Sequence, residues 1–129
     1  MKQHEVTTRQ PLLDDRGQIS EPGWARTPVW KYDRSRIRAP KHRIKEWDYY
    51  LVNNDHFGAA FTISDMGYIG LLSVSLLDFD KAEHHTETVL VPMPMGRFHL
   101  GCHSDQGNAE FQNERIHLKY SVVFDRRKI

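Results

Sequence analysis

The sequence predicts an all-β protein in which an antiparallel meander forms part of a barrel behind an extended, irregular N-terminal arm. From residue 47 onward, apolar and polar residues alternate with a period of 2, which is typical of half-buried strands. No segment of about ten or more residues carries the apolar stripe of an amphipathic helix. Turn-forming residues separate the alternating runs, and consecutive strands joined by tight turns are antiparallel.

Residues 1–46 are the first of two predicted regions, the extended arm. Proline and glycine interrupt them at short intervals, and turns are expected at residues 14–17 and 21–24. The arm holds 11 Lys and Arg against 6 Asp and Glu, whereas residues 47–80 hold five aspartates and no Lys or Arg. We therefore expect the arm to pack on the sheet and to neutralise the aspartates that follow it.

Residues 47–129 are the second predicted region, the β-meander. Its first three strands are separated by Asn53–Asp55 and Asp65–Gly67, which contain residues that favour hairpin turns. The apolar phase reverses near Leu76–Leu77, so a β-bulge is expected there. The expected strands, in chain order, are 48–53, 56–64, 68–79, 85–91, 109–113 and 116–124.

The expected strands are too few to close a barrel, which takes about eight. Two open sheet edges would remain, through which copies of the chain could associate. The regular strand at 116–124 is followed directly by the charged residues 125–129, without a closing element. This predicts that the chain is the N-terminal part of a longer protein or that edges pair between copies. The alternative is that the charged residues simply blunt an edge strand.

A series of segments resembles the bacterial family called domain of unknown function 2804, and the series covers essentially the whole chain. The segments are Pro11–Gly17, Gly23–Arg26, Arg43–Tyr50, Asp65–Gly70 and Phe111–Arg115. Family members are longer than this chain, which agrees with an incomplete barrel. The family is more remotely similar to lipocalin-like proteins that include carotenoid hydratases and tocopherol cyclases. The resemblance therefore implies a lipocalin-like barrel, but it carries over no activity, catalytic residue or cofactor.

The apolar face of the partial barrel is the predicted binding site of a small hydrophobic ligand, because such folds hold ligands in the barrel mouth. Aromatic side chains are expected to line it: Phe57, Phe61, Tyr68, Tyr120 and Phe124. One alternative is a hydratase or cyclase that acts on an isoprenoid-like substrate. Another is a structural or interaction domain that a partner chain completes.

Asp48 is the candidate proton donor of the enzyme alternative, because it lies between two aromatic residues at the start of a strand. If its carboxyl group points inward, desolvation raises its pKa and suits it to acid–base chemistry. A structural ion pair with Arg43 or another basic residue of the arm also explains the position, and it is the interpretation we favour.

Composition excludes several classes of function. A net charge of +1 gives no support to nucleic-acid binding, and no apolar run is long enough for a membrane span. The single cysteine, Cys102, fits a reducing compartment, so a cytoplasmic location is expected. The glycine-rich segment 99–103 contains two histidines beside this cysteine, yet no further ligands are expected to converge there. We therefore expect neither a metal site nor a cofactor.

Overall fold

The computed structural model describes residues 3–103, 106–123 and 126–129. Within these residues the chain forms nine strands and two single-turn 3₁₀ helices at Arg34–Arg36 and Lys41–Arg43, so the all-β prediction is confirmed. The strands are β1 Gln10–Pro11, β2 Trp30–Lys31, β3 Glu46–Asn53, β4 Phe57–Asp65, β5 Ile69–Asp78, β6 Glu83–Pro92, β7 Gln106–Gln112, β8 His117–Val123 and β9 Arg126–Lys128. No described element is a helix with the length and apolarity to cross a membrane.

Strands β3 to β6 form one antiparallel sheet in chain order, as the alternating pattern predicts. Both predicted hairpin turns are confirmed. At the first, the Asn54 side-chain oxygen accepts the backbone N–H groups of His56 and Phe57 at 2.8 and 2.7 Å. At the second, Asp65 accepts the N–H of Gly67 at 2.8 Å. Side-chain acceptors of this kind stabilise tight turns, which explains where the strands end.

The bulge expected near Leu76–Leu77 is wrong. Strand β5 pairs without interruption with both neighbours as far as Asp78. Leu76 stays exposed, while Leu77 lies on the other face, where a methyl group built on Gly58 would come within 3.2 Å of it. Leu76 and Leu77 therefore lie on opposite faces of the sheet. The reversal of the apolar pattern in the sequence reflects this pair of leucines and not a change of register.

Strands β7, β8 and β9 form a second antiparallel sheet. The expectation that no strand follows the regular run ending near residue 124 is wrong, because Arg126–Lys128 pair with β8. A ladder uses backbone groups, so three exposed basic residues can extend it without the apolar alternation that marks the other strands. Residue 124 itself lies outside the described residues.

The core lies between the two sheets. Its buried members from the first sheet are Ile63, Leu72 and Val89; those from the rest of the chain are Phe98, Ala109, Leu118 and Tyr120. No ladder in the described part of the chain joins the two sheets, so the structure agrees with a partial barrel rather than a closed one. Strands β3 and β6 are the open edges of the first sheet, and self-association through open edges stays a prediction.

The arm is held largely by its own contacts. Strands β1 and β2 pair in parallel, and Arg26 contacts Glu5 at 2.8 Å. Arg34 reaches the sheet, where it pairs with Glu46 at the start of β3. No ion pair among the described residues joins the arm to an aspartate of residues 47–80, so the expected neutralisation does not occur through direct pairs. One of them, Asp78, pairs instead with Lys81, three residues later in the chain.

Candidate functional site

A cleft opens where strand β3 passes the end of the second sheet. It consists of two adjoining cavities of about 310 and 420 Å³, a size at which small-molecule sites occur. Four residues line both cavities: Trp47, Asp48, Gly101 and His103. We call this feature the β3 cleft. The smaller cavity also touches Tyr50 and Tyr120, and the larger one extends to Tyr32 and Cys102.

The alternation of β3 determines which side chains face the core. Asp48 and Tyr50 lie opposite Ile63 and Phe61 of β4, so they share the inner face of the sheet. The side chain of Trp47 lies on the other face and is 62% exposed, and the residue borders both cavities at the open edge of β3. Because β3 is an edge strand, its inner-face residues border the core rather than lying within it. This placement brings the Asp48 carboxyl group to the cleft.

Tyr120 lines the smaller cavity of the cleft, and its hydroxyl group is buried. The residue is 2% exposed, and its hydroxyl has no hydrogen-bond partner among the described residues. Its ring contacts that of Tyr50 edge to face, with 4.9 Å between the ring centroids. Burial raises the pKa of Tyr120, and the neighbouring Asp48 and Tyr50 raise it further. The hydroxyl is therefore neutral at physiological pH, and leaving it unpaired costs about 1–3 kcal/mol.

Asp48 is half-buried, and no ion pair or hydrogen bond joins it to another described residue. Burial raises the pKa of its carboxyl group, as expected for an inward-facing aspartate. The favoured ion pair with Arg43 or another arm residue is wrong. Arg34 reaches β3 but pairs with Glu46, which also accepts a hydrogen bond from the Tyr32 hydroxyl. Arg34, the arm cation that reaches β3, is therefore paired with a residue two positions before Asp48.

Replacing Asp48 with asparagine is expected to raise the melting temperature at pH 7 by about 2 °C. Since the folded-state pKa lies above the ordinary value of 3.8, the native protein loses stability as the pH rises through this range. Partial exposure limits the gain to about 0.5 kcal/mol. The advantage of the variant should disappear below about pH 4, where Asp48 is protonated in both states. Calorimetric melting at both pH values measures this, and a lower melting temperature at pH 7 would reveal a stabilising partner of the carboxylate.

The five residues expected to line a ligand site do not lie together. Tyr120 lines the β3 cleft, whereas Phe61 is half-buried against the core. Phe57 is exposed at the far end of β4, beside a separate cavity of about 260 Å³. Tyr68 is exposed in the turn between β4 and β5, and Phe124 lies outside the described residues. Whether any of them contacts a ligand stays a prediction.

Sequence reasoning missed several residues of the cleft. Trp47 and Tyr50 lie in the same aromatic run of β3 as Asp48, so the run that singled out Asp48 could have identified them as well. His103 and Arg127 also line the cleft, but neither lies in a run with a recognisable period. Among the described residues, no group of three or more His, Cys, Asp or Glu is placed to hold a metal ion.

The fold and the cleft define a class: an all-β chain whose two sheets leave a small-molecule-sized cleft beside an open edge strand. The family model described as Domain of unknown function (DUF2804) matches residues 3–129. The protein belongs to this family, as the resemblance of its sequence segments predicts. Comparisons with curated proteins and with solved structures give no significant match. Its function must therefore be inferred from the cleft.

Proposed function

We propose that the protein binds a small, mainly apolar molecule in the β3 cleft, where Asp48 and Tyr120 hold the polar group of the ligand. The observation that carries this proposal is a pair of polar groups that lack partners in the described part of the chain. Among those residues, the buried Tyr120 hydroxyl has no hydrogen-bond partner and the half-buried Asp48 has no counter-ion. A bound ligand that hydrogen-bonds both groups would offset the cost of desolvating them.

The walls of the cleft suit an apolar ligand. Trp47 and Tyr50 present aromatic surface, and Leu100 adds an aliphatic side chain to the larger cavity. Aromatic walls with a few fixed polar groups are the usual composition of small-molecule sites. The resemblance to lipocalin-like proteins supports the same function, because barrels of this kind enclose apolar ligands.

Ligand binding is expected to stabilise the native protein. A ligand at 100 times its dissociation constant adds about 2.7 kcal/mol to the free energy of unfolding, which raises the melting temperature by several degrees. The test is a thermal-shift assay with aliphatic alcohols, fatty acids and isoprenoid compounds. Tryptophan fluorescence gives a second readout, since Trp47 lines both cavities.

Two variants show whether the ligand occupies the β3 cleft. Trp47→Ala removes an exposed aromatic wall and should weaken binding at least ~5-fold, the effect of losing about 1 kcal/mol of apolar contact. Leu90→Ala is the matched control, because Leu90 is a similarly exposed apolar residue on the opposite edge strand of the same sheet. Equal loss in both variants, or no stabilisation by any compound, contradicts the proposal. Chemical conversion of a bound compound that Asp48→Asn abolishes, in a variant that still folds, would instead identify Asp48 as the proton donor of an enzyme.

A further inference from the structure

The polar groups of the cleft place a specific demand on the ligand. An ionised aspartate only accepts hydrogen bonds, whereas a tyrosine hydroxyl donates one and can also accept. Asp48 and Tyr120 line the same cavity. Tyr50 lies on the same strand face as Asp48 and packs edge to face against Tyr120. One ligand group that contacts both residues must therefore donate to Asp48 and accept from Tyr120.

We propose that the polar group of the ligand is a neutral hydroxyl, so that the β3 cleft selects an apolar alcohol over the corresponding carboxylate or ammonium compound. This inference rests on the proposed function. A hydroxyl group donates its proton to Asp48 while its oxygen accepts the O–H of Tyr120, and both protein groups are then satisfied.

Charged ligand groups meet the same demand less well. A carboxylate would accept from Tyr120, but it has no proton for Asp48 and would place a second negative charge beside it. An ammonium group would form an ion pair with Asp48, but it loses much more hydration than a hydroxyl on entering the cleft, and it has no lone pair for the hydroxyl proton of Tyr120. Arg127 also lines the smaller cavity, but it already has an interaction partner and is not an unpaired cation for a carboxylate ligand.

The experiment compares 1-octanol, octanoate and octylammonium, which share one chain and differ only in the polar group. Titration at pH 7, followed by tryptophan fluorescence and calorimetry, should give a dissociation constant for 1-octanol about 10-fold below those of the other two. The variant Asp48→Asn keeps a side-chain carbonyl that accepts the alcohol proton. Its preference for 1-octanol over octanoate should shrink at least ~3-fold, because the negative charge that opposes the carboxylate is gone.

A matched pair of tyrosine variants locates the hydrogen bond. Tyr120→Phe should weaken 1-octanol binding about 5-fold and leave octylammonium binding unchanged, because only the alcohol accepts from that hydroxyl. Tyr68→Phe is the control, because it removes an exposed hydroxyl from the β4–β5 turn, outside both cavities of the β3 cleft. It should bind all three compounds as the unmodified protein does.

The outcomes separate this inference from the proposed function. If octanoate or octylammonium binds as tightly as 1-octanol, hydroxyl selectivity is overturned while ligand binding stands. Tighter octanoate binding that Arg127→Gln abolishes would name Arg127 as the recognition group instead. If none of the three compounds binds or stabilises the protein, the proposed function fails together with the inference. If Tyr120→Phe does not fold, the relative affinities of the unmodified protein for the three compounds still test hydroxyl selectivity.

Discussion

Replacing Asp65 with alanine is expected to destabilise the fold by about 2–4 kcal/mol. Asp65 is 0% exposed, and its two carboxylate oxygens accept the backbone N–H groups of Gly67 at 2.8 Å and of Gly96 at 2.5 Å. Alanine leaves both donors without an acceptor, at about 1–3 kcal/mol for each group that remains buried. This is a large part of the 5–15 kcal/mol that stabilises a typical domain.

The position of Asp65 in the sheet explains why these bonds are needed. Asp65 lies directly opposite Glu46 in the β3–β4 ladder, and like charges in such a pair destabilise a sheet. Arg34 pairs with Glu46, while the two backbone N–H groups solvate Asp65. The carboxylate thereby connects the β4–β5 turn to the loop that follows β6.

Urea unfolding measures this effect, with Asp80→Ala as the control. Asp80 is another turn aspartate, but its carboxylate is largely exposed and contacts only His56 at 3.0 Å among the described residues. Its removal should cost no more than about 1 kcal/mol. If the two alanine variants are equally stable, the bonds that Asp65 accepts contribute little to the fold.

Asp65 also marks the limit of what the sequence could predict. Residues that favour turns identified the hairpin at Asp65–Gly67, because a turn aspartate binds amides close to it in the chain. The bond to Gly96 crosses 31 residues, and no local pattern encodes it. The strands of the meander were predictable for the same reason as the turn, since alternation is a local property. The short strand β9 was not, because its basic residues carry no alternation.

The β3 cleft was predictable only in part. Asp48 could be singled out because it interrupts an aromatic run in an edge strand. The proximity of Asp48 to Tyr120 depends on how the second sheet packs across β3. The periodicity of the sequence contains no information about that packing. For the same reason the expected aromatic lining, which assumed one continuous concave face, includes residues such as Phe57 that lie at the opposite end of the sheet.

Replacing Gly67 with alanine is expected to destabilise the protein by about 2–5 kcal/mol. The φ angle of Gly67 is +83°, a conformation that costs other residues about 1 kcal/mol or more. The added methyl group would also lie 2.2 Å from the carbonyl oxygen of His42, a backbone atom of the arm. The arm or the turn would have to move, and such overpacking costs a further 1–3 kcal/mol or so.

The glycine at position 107 provides a matched control, because it separates the two costs. Gly107 has a φ of +128°, yet a methyl group built on it meets nothing within 4 Å. Gly107→Ala should therefore lose only the conformational part, about 1–2 kcal/mol. Urea unfolding of both variants gives the difference, and equal destabilisation would mean that the contact between the arm and the β4–β5 turn does not constrain the fold.

Displacement of the arm should also reach the ligand site. His42 lies in the second 3₁₀ helix, and the chain continues from there through the buried Ile44 into β3. A shift at His42 would move Trp47, which lines both cavities of the β3 cleft. We therefore expect Gly67→Ala to weaken ligand binding under conditions in which the variant is still folded, while Leu90→Ala, on the opposite edge strand and outside the cleft, retains it. Binding that is unchanged in a destabilised but folded Gly67→Ala protein would show that the arm and the cleft are independent.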